Sequence, residues 1–320
     1  MNNQTLVTEF ILGGFSSNPK MQSFFLGLFS IIYIITLLGN LVIFSLICLD
    51  PHLHTPMYFF LSNLSVLDIC YSSSTIFHLL SNFLFQRRTI SLVGCAAQMY
   101  LFLVLATTEC ILLSVMAYDR YVAICLPLNY TVIMNQRTRV TLAMVSWGSG
   151  LVVPVPFAVL TWRLPFCGPN VINHFFCEMP ALWRLACSDT QPIELATQVG
   201  SLFSLLAPII FIFVSYVHIL AAILKINYSG GRQKAFSTCF SHLVVVALFY
   251  GTAFFRYIQP SSLRTPVLNK VISLFYTVLT PMLNPIIYSL RNREVKMALV
   301  KMLRNVSFPH ATECGVFKGT

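Results

Sequence analysis

The sequence predicts an all-α protein, a bundle of seven membrane-crossing helices followed by a short amphipathic helix. Three observations carry this. The first is composition. Of 320 residues, 57% are hydrophobic and only 9% charged, with a mean hydropathy of +0.76. Soluble domains run nearer to about 45–50% apolar and about 25% charged, and a water-facing surface could not be built from what remains. The second is the spacing of the apolar residues, which gather into seven runs each near the length of about 20 residues that crosses a bilayer core of about 30 Å. The third is the distribution of charge. The net +10 comes from Lys and Arg placed singly in the short gaps between runs. That pattern suits loops facing anionic lipid and a cytosolic partner, and it lacks the basic, aromatic-laced stretches that would bind nucleic acid.

The runs are 24–48, 57–84, 92–118, 140–162, 194–224, 235–258 and 268–290. The first carries no charge; the second, third and fifth carry Asp68, Glu109 and Glu194. No basic start followed by an apolar core precedes them, so the first span is expected to act as its own insertion signal. Residues 1–23 form an outer N-terminal segment, 24–290 the membrane domain and 291–320 an inner tail. No internal repeat is visible.

Seven is odd, so the termini lie on opposite sides. One face holds eight basic residues and the other twelve, the latter including Arg120, Arg137, Arg139, Lys225 and the tail. The richer face is expected to be cytoplasmic and the N-terminus outside. Asn3-Gln4-Thr5, a glycan acceptor, then falls outside. So do Cys95, Cys167, Cys177 and Cys187, where disulfides form. Four cysteines allow three pairings. After the last span, Val295, Leu299, Met302 and Leu303 recur among basic residues at helical spacing, which predicts an amphipathic helix along the inner leaflet.

Ionisable groups inside a bilayer mark function by default. Asp68 lies 11 residues into the second span from Met57, and Glu109 lies 11 residues before Arg120. Both are thus roughly 16 Å deep. Two carboxylates at one depth could share a proton or a cation such as sodium, or each could be a neutral acid bonded to Ser and Asn neighbours. Asp119-Arg120 at the inner end of the third span reads, alone, as no more than an interfacial pair. In the seventh span, Pro285 frees a carbonyl that a nearby Asn can satisfy, giving a kink and a hinge or a static bend.

The order of these features is that of rhodopsin-like G-protein-coupled receptors: Gly39-Asn40, Asp68, Asp119-Arg120-Tyr121, Trp147, Tyr216 and Asn284-Pro285-Ile286-Ile287-Tyr288. Longer strings resemble olfactory receptors: Leu53 to Ser62, Met116 to Cys125, Lys234 to Leu243 and Pro281 to Asn292. The resemblance covers nearly the whole chain. Phe240 and Ile286 depart from the family's usual Ala and Phe, and both stay apolar.

The resemblance implies roles. Arg120 pairs with Asp119 at rest and turns to Tyr216 and Tyr288 when span six swings out. The opened inner cleft admits the α subunit of a stimulatory G protein, touched by 120–139, 225–240 and 291–296, and cyclic AMP rises. Nothing in the chain is expected to catalyse a reaction, and no cofactor beyond the candidate sodium is implied. The family pattern ties Cys95 to Cys177 in the second outer loop, leaving Cys167 to pair with Cys187. His174, Cys177 and Glu178 are metal-ligand types, but a cysteine in a disulfide offers no thiolate to copper.

An odorant is small, volatile and mostly apolar, so its site should be a closed, mainly apolar cavity with a few polar groups. Phe102, Leu103, Ala106 and Thr107 share one face of span three, roughly 10 Å below its outer end. The family pattern adds Gly200, Ser204, Ala253, Phe254, Tyr257, Leu274 and Thr277. Small residues at 106, 200 and 253 leave room, and Thr107, Ser204 and Tyr257 offer polar contacts. The same residues could instead pack helix against helix. Among other functions, a transporter or channel predicts repeated halves with paired broken helices, and a membrane enzyme predicts a convergent cluster, which His78, His174, His218 and His242 do not make.

Overall fold

The computed structural model describes residues 7–15, 18–85, 88–167, 170–225, 229–258, 265–291 and 293–307. Seven long helices form the bundle. Spans one, two and three are Pro19–Leu49, Pro56–Phe85 and Leu92–Cys125; span four is Gln136–Val152 continued by Val155–Trp162. Spans five and six are Gln191–Leu224 and Ser229–Ile258, and span seven runs from Pro266–Leu274 through a π-helical turn, Phe275–Leu279, to Thr280–Arg291. A terminal helix, Arg293–Ser307, follows.

Several spans outrun their apolar cores. Span one begins at Pro19, inside the segment expected to be an outer tail, and span three reaches Cys125. Caps set these ends where hydropathy cannot. Asn18 accepts from the Lys20 N–H with Pro19 in the first turn, Ser91 accepts from Gly94 N–H, and Asn135 accepts from Thr138 N–H. The outer side also carries a small sheet that no periodicity announced: β1 (Glu9–Leu12) lies between β2 (Thr89–Ser91), antiparallel, and β3 (Val171–Ile172), parallel. Beyond it the chain turns at Gly14, whose φ of +61° suits glycine, and the Gly14 carbonyl accepts from Lys270 Nζ at 2.6 Å.

Six spans are apolar enough by length and composition to cross a membrane; span two is the one that falls short. Its polar residues point inward. Ser65, Asp68, Ser72 and Thr75 are all buried, and the three hydroxyls donate to carbonyls one turn back, Leu61, Asp68 and Tyr71, at 2.8–3.1 Å. A helix packed at the centre of a bundle has no need of a lipid-like surface on that side. Span one, by contrast, exposes Ile31, Ile34, Leu38 and Leu41 to the surroundings.

The prolines show how the spans lock together. Pro285 has no N–H for the Pro281 carbonyl. That carbonyl accepts instead from Asn40 Nδ2 of span one at 3.1 Å, and Gly39 lets the two helices approach, since a Cβ there would lie 3.0 Å from Pro285 Cγ. The donor is therefore Asn40, 241 positions away in sequence, rather than the adjacent Asn284. Pro208 likewise frees the Ser204 carbonyl, which accepts from the Cys110 thiol of span three at 3.4 Å. Gly150 in span four sits so close to span three that a Cβ would fall on Thr108 Oγ1 and the Val104 carbonyl. The inner end is closed by the terminal helix: Tyr58 donates to Glu294 Oε2 at 2.7 Å, and Lys301 pairs with Asp50 at 3.6 Å.

Candidate functional site: a roofed cavity and an inner polar cluster

A cavity of about 240 Å³ opens between spans three to seven beneath the second outer loop. Span three supplies Met99, Phe102, Leu103, Ala106, Thr107 and Cys110, an i, i+3, i+4, i+7, i+8, i+11 face. Span five supplies Glu194, Thr197, Gln198, Ser201, Ser204 and Leu205 on one face. Tyr71, Phe249, Ala253 and Tyr276 complete the walls, and the loop residues Glu178 and Met179 form the roof.

The roof is held by two linkages. Disulfides join Cys95 to Cys177 and Cys167 to Cys187, and Gln98 Oε1 accepts from the Cys177 N–H at 2.9 Å. One residue on, Glu178 Oε1 meets Arg256 of span six at 2.9 Å. Arg256 also donates to Asn269 Oδ1 at 3.2 Å, and Tyr276 and Ser273 donate to Glu178 Oε2 at 3.4 and 3.5 Å. Burial alone would raise the Glu178 carboxyl. The neighbouring His174 and Arg256 charges and the hydrogen bonds from Arg256 and Tyr276 outweigh it and hold the group below the usual carboxylate range. Burial lowers His174, an effect that Glu178, 3.5 Å from its Nε2, opposes.

At the floor, Tyr250 of span six donates to the Cys110 carbonyl at 3.1 Å, and its hydroxyl lies 3.0 Å from the Cys110 thiol. Ser114 reaches the Pro208 carbonyl at 3.4 Å. The floor thus ties spans three, five and six to one another.

Deeper, Asn284 Nδ2 donates to both Asp68 oxygens, at 3.1 and 3.0 Å. Glu109 is wholly buried close enough to Asp68 to act on it electrostatically. Glu109 Oε1 and Asn284 Oδ1 have no hydrogen-bond partner among the described residues. Among the described residues no cluster of three His, Cys, Asp or Glu side chains is placed to hold a metal ion.

At the inner end the expected resting pair is not the one present. Asp119 accepts from Tyr130 at 2.9 Å, and no ion pair links it to Arg120 among the described residues. Adjacent residues on a helix do not face each other. Arg120 is turned into the bundle, within electrostatic reach of Tyr216, Cys239, His242 and Tyr288. His242 Nε2 lies 3.1 Å from the Leu113 carbonyl and must donate to it, so Nδ1 accepts from the Tyr216 hydroxyl at 2.8 Å. Tyr121 sits outside this cluster, edge-on to His218.

An olfactory receptor family model matches residues 29–306. The chain belongs to the olfactory receptor family. It is 50% identical over 312 residues to human olfactory receptor 13C9, covering 96% of this chain and 98% of that one. Human olfactory receptor 2A5 is 51% identical, with 94% and 97% covered, and mouse olfactory receptor 2A7 is 51% identical, with 95% and 98% covered. It is a multi-pass receptor of the plasma membrane and not an enzyme.

Of the residues expected to line the receptor's pocket, Phe102, Leu103, Ala106, Thr107, Ser204 and Ala253 do so. Four do not. Gly200 faces span four, where a Cβ would strike the Phe157 ring. Phe254 packs near Tyr250 inside the core, Leu274 joins the outer aromatic cluster, and buried Thr277 donates to its own helix at Ser273. The Tyr257 side chain and Asn3 lie outside the described residues. The roof residue Glu178 and the Arg256 and Asn269 side chains it is tied to were missed, because the Glu178–Arg256 contact that organises them spans 78 positions. On span five Glu194, Thr197, Gln198 and Ser201 were missed as well, although polar residues three and four apart in an apolar helix mark an inward side.

Proposed function

We propose that this receptor binds a small, mostly apolar volatile in the roofed cavity and activates a stimulatory heterotrimeric G protein, raising cyclic AMP. The observation that carries the reading is the hydrogen-bonded floor. A ligand seated on Cys110 presses on the outer of two places where spans three, five and six are joined, and spans three and six continue inward to the Arg120 and His242 cluster. The test is Ala106→Phe. A ring driven into a cavity of about 240 Å³ costs about 1–3 kcal/mol of packing and displaces the ligand, so agonist potency should fall by roughly a hundredfold while surface expression is kept. Unchanged potency for every agonist places the ligand elsewhere.

The fit of Asp68, Glu109 and Asn284 supports a shared proton or sodium ion at mid-depth, because two orphaned acceptors and a carboxylate converge there. Sodium bound there would supply a positive charge to these acceptors. Asp68→Asn and Glu109→Gln should each shift basal and agonist-stimulated output, and the double variant should be non-additive by about 0.5–3 kcal/mol in activation free energy. Additive effects would refute sharing. The basic inner face supports an extracellular N-terminus with a glycan on Asn3, and an N-terminal epitope should stain intact cells. Staining only after permeabilisation reverses the topology.

A further inference from the structure

We propose that the cavity selects neutral, oxygen-bearing volatiles over acids, amines and hydrocarbons, and that the Glu178–Arg256 pair imposes that choice. The inference rests on the cavity being the ligand site. The charged groups around the cavity are accounted for. Glu178 and Arg256 meet at 2.9 Å, and both are largely shielded from solvent. At the rim, Glu194 accepts from Thr190 Oγ1 at 2.7 Å, and Arg184, of opposite sign, is exposed to water. A carboxylate or an ammonium entering the cavity would find its natural partner already engaged, and would lose its own hydration without an equal return.

Inside the rim, the polar groups that remain unengaged are uncharged. Thr197 Oγ1 is buried with no hydrogen-bond partner among the described residues. Gln198, Ser201 and Thr107 line the cavity, and none of their side chains makes a hydrogen bond among the described residues. Hydroxyls and an amide satisfy a carbonyl, ether or alcohol oxygen. Phe102 and Leu103 of span three, beside Thr107 and across from the span-five groups, take an apolar body. A pure hydrocarbon fills the space but leaves those donors unpaired. At about 240 Å³ the cavity is smaller than the roughly 300–1,000 Å³ sites that hold drug-sized molecules, which restricts it to compounds the size of a volatile.

The pair also predicts how the choice is reversed. Glu178→Gln leaves Arg256 with its charge and without a carboxylate, opening a place for an acid. Arg256→Gln leaves Glu178 in need of a cation, opening a place for an amine.

The experiment uses the full-length receptor with methyl ketones, primary alcohols, carboxylates, primary amines and alkanes, each as a homologous series from pentyl to decyl. Two readouts are taken: cyclic AMP in cells, and thermal stabilisation of the purified receptor, which reports occupancy whether or not a signal follows. Wild type should be stabilised and activated within the ketone or alcohol series alone. Glu178→Gln should gain carboxylate binding by about tenfold or more relative to the ketones, and Arg256→Gln should gain the amines by a similar factor. The wild-type preference stands by itself if either variant fails to reach the surface. Stabilisation of wild type by carboxylates, amines or alkanes as strong as by neutral oxygenated compounds overturns the proposal, as does stabilisation by none. Stabilisation by ketones or alcohols without cyclic AMP supports the ligand class and counts against the signalling reading alone.

Discussion

Arg120→Ala should reach the cell surface at normal levels and fail to signal. Arg120 is 9% exposed, in a cluster of tyrosines and a histidine at the inner end of span three. Its loss strands no carboxylate, because Asp119 is already held by Tyr130 at 2.9 Å. The usual penalty for breaking a buried ion pair, about 3–5 kcal/mol, therefore does not apply, and the fold survives. What disappears is the long cation that bears on Tyr216 and Tyr288 and that would face a G protein once the inner cleft opens. Agonist-stimulated cyclic AMP should drop to background. Full output at matched surface level, measured by cell-surface labelling beside the cyclic AMP assay, would show that the guanidinium is dispensable.

Cys177→Ser should do the opposite, removing the receptor from the surface. The Cys95–Cys177 bond spans 82 positions, and losing a native disulfide costs about 2–5 kcal/mol. It also frees the residue whose N–H is bound by Gln98 and whose neighbour, Glu178, anchors the roof to spans six and seven. Cys187→Ser breaks a bond spanning 20 positions within the loop, and closing a shorter loop restrains the unfolded chain less. Surface expression should therefore fall further for Cys177→Ser than for Cys187→Ser. Equal expression of both variants and wild type, with unchanged agonist potency, would remove the disulfide from the account of the pocket.

The seven spans were legible because a bilayer imposes one length on every crossing segment, and apolar runs of that length are hard to mistake. Even span two, diluted by Ser65, Asp68, Ser72 and Thr75, could be placed from its bounds. The pocket was half legible. Span three's face follows from its period alone, so Phe102, Leu103, Ala106 and Thr107 fell where the spacing puts them. Gly200 was misread because a glycine serves a close helix approach as readily as an empty space. Of the roof, the family resemblance gave the two disulfides and not the ion pair: Glu178 and Arg256 are 78 positions apart, and only the folded loop brings them together. The inner cluster failed in a different way. The family resemblance implied a resting pair of Asp119 with Arg120, but successive helical side chains diverge, and Asp119 is held by Tyr130 while Arg120 turns among the tyrosines of other spans.

The proline-linked carbonyls carry a mechanical consequence. Spans five and seven contain Pro208 and Pro285, and each freed carbonyl is pinned by a donor on a neighbouring helix. Those bends are joints whose pins sit in another rod, so neither can flex alone. Span six, Ser229–Ile258, is one unbroken helix without a proline. It is the stiff lever of the assembly, fastened near its outer end by Arg256 to Glu178, next by Tyr250 to Cys110, and near mid-length by His242 to Tyr216 and Leu113. A stiff lever cannot release its inner fastening without pivoting on the middle one, so a small displacement at Cys110, under the ligand, is magnified at the cytoplasmic end in proportion to the length of helix beyond the pivot.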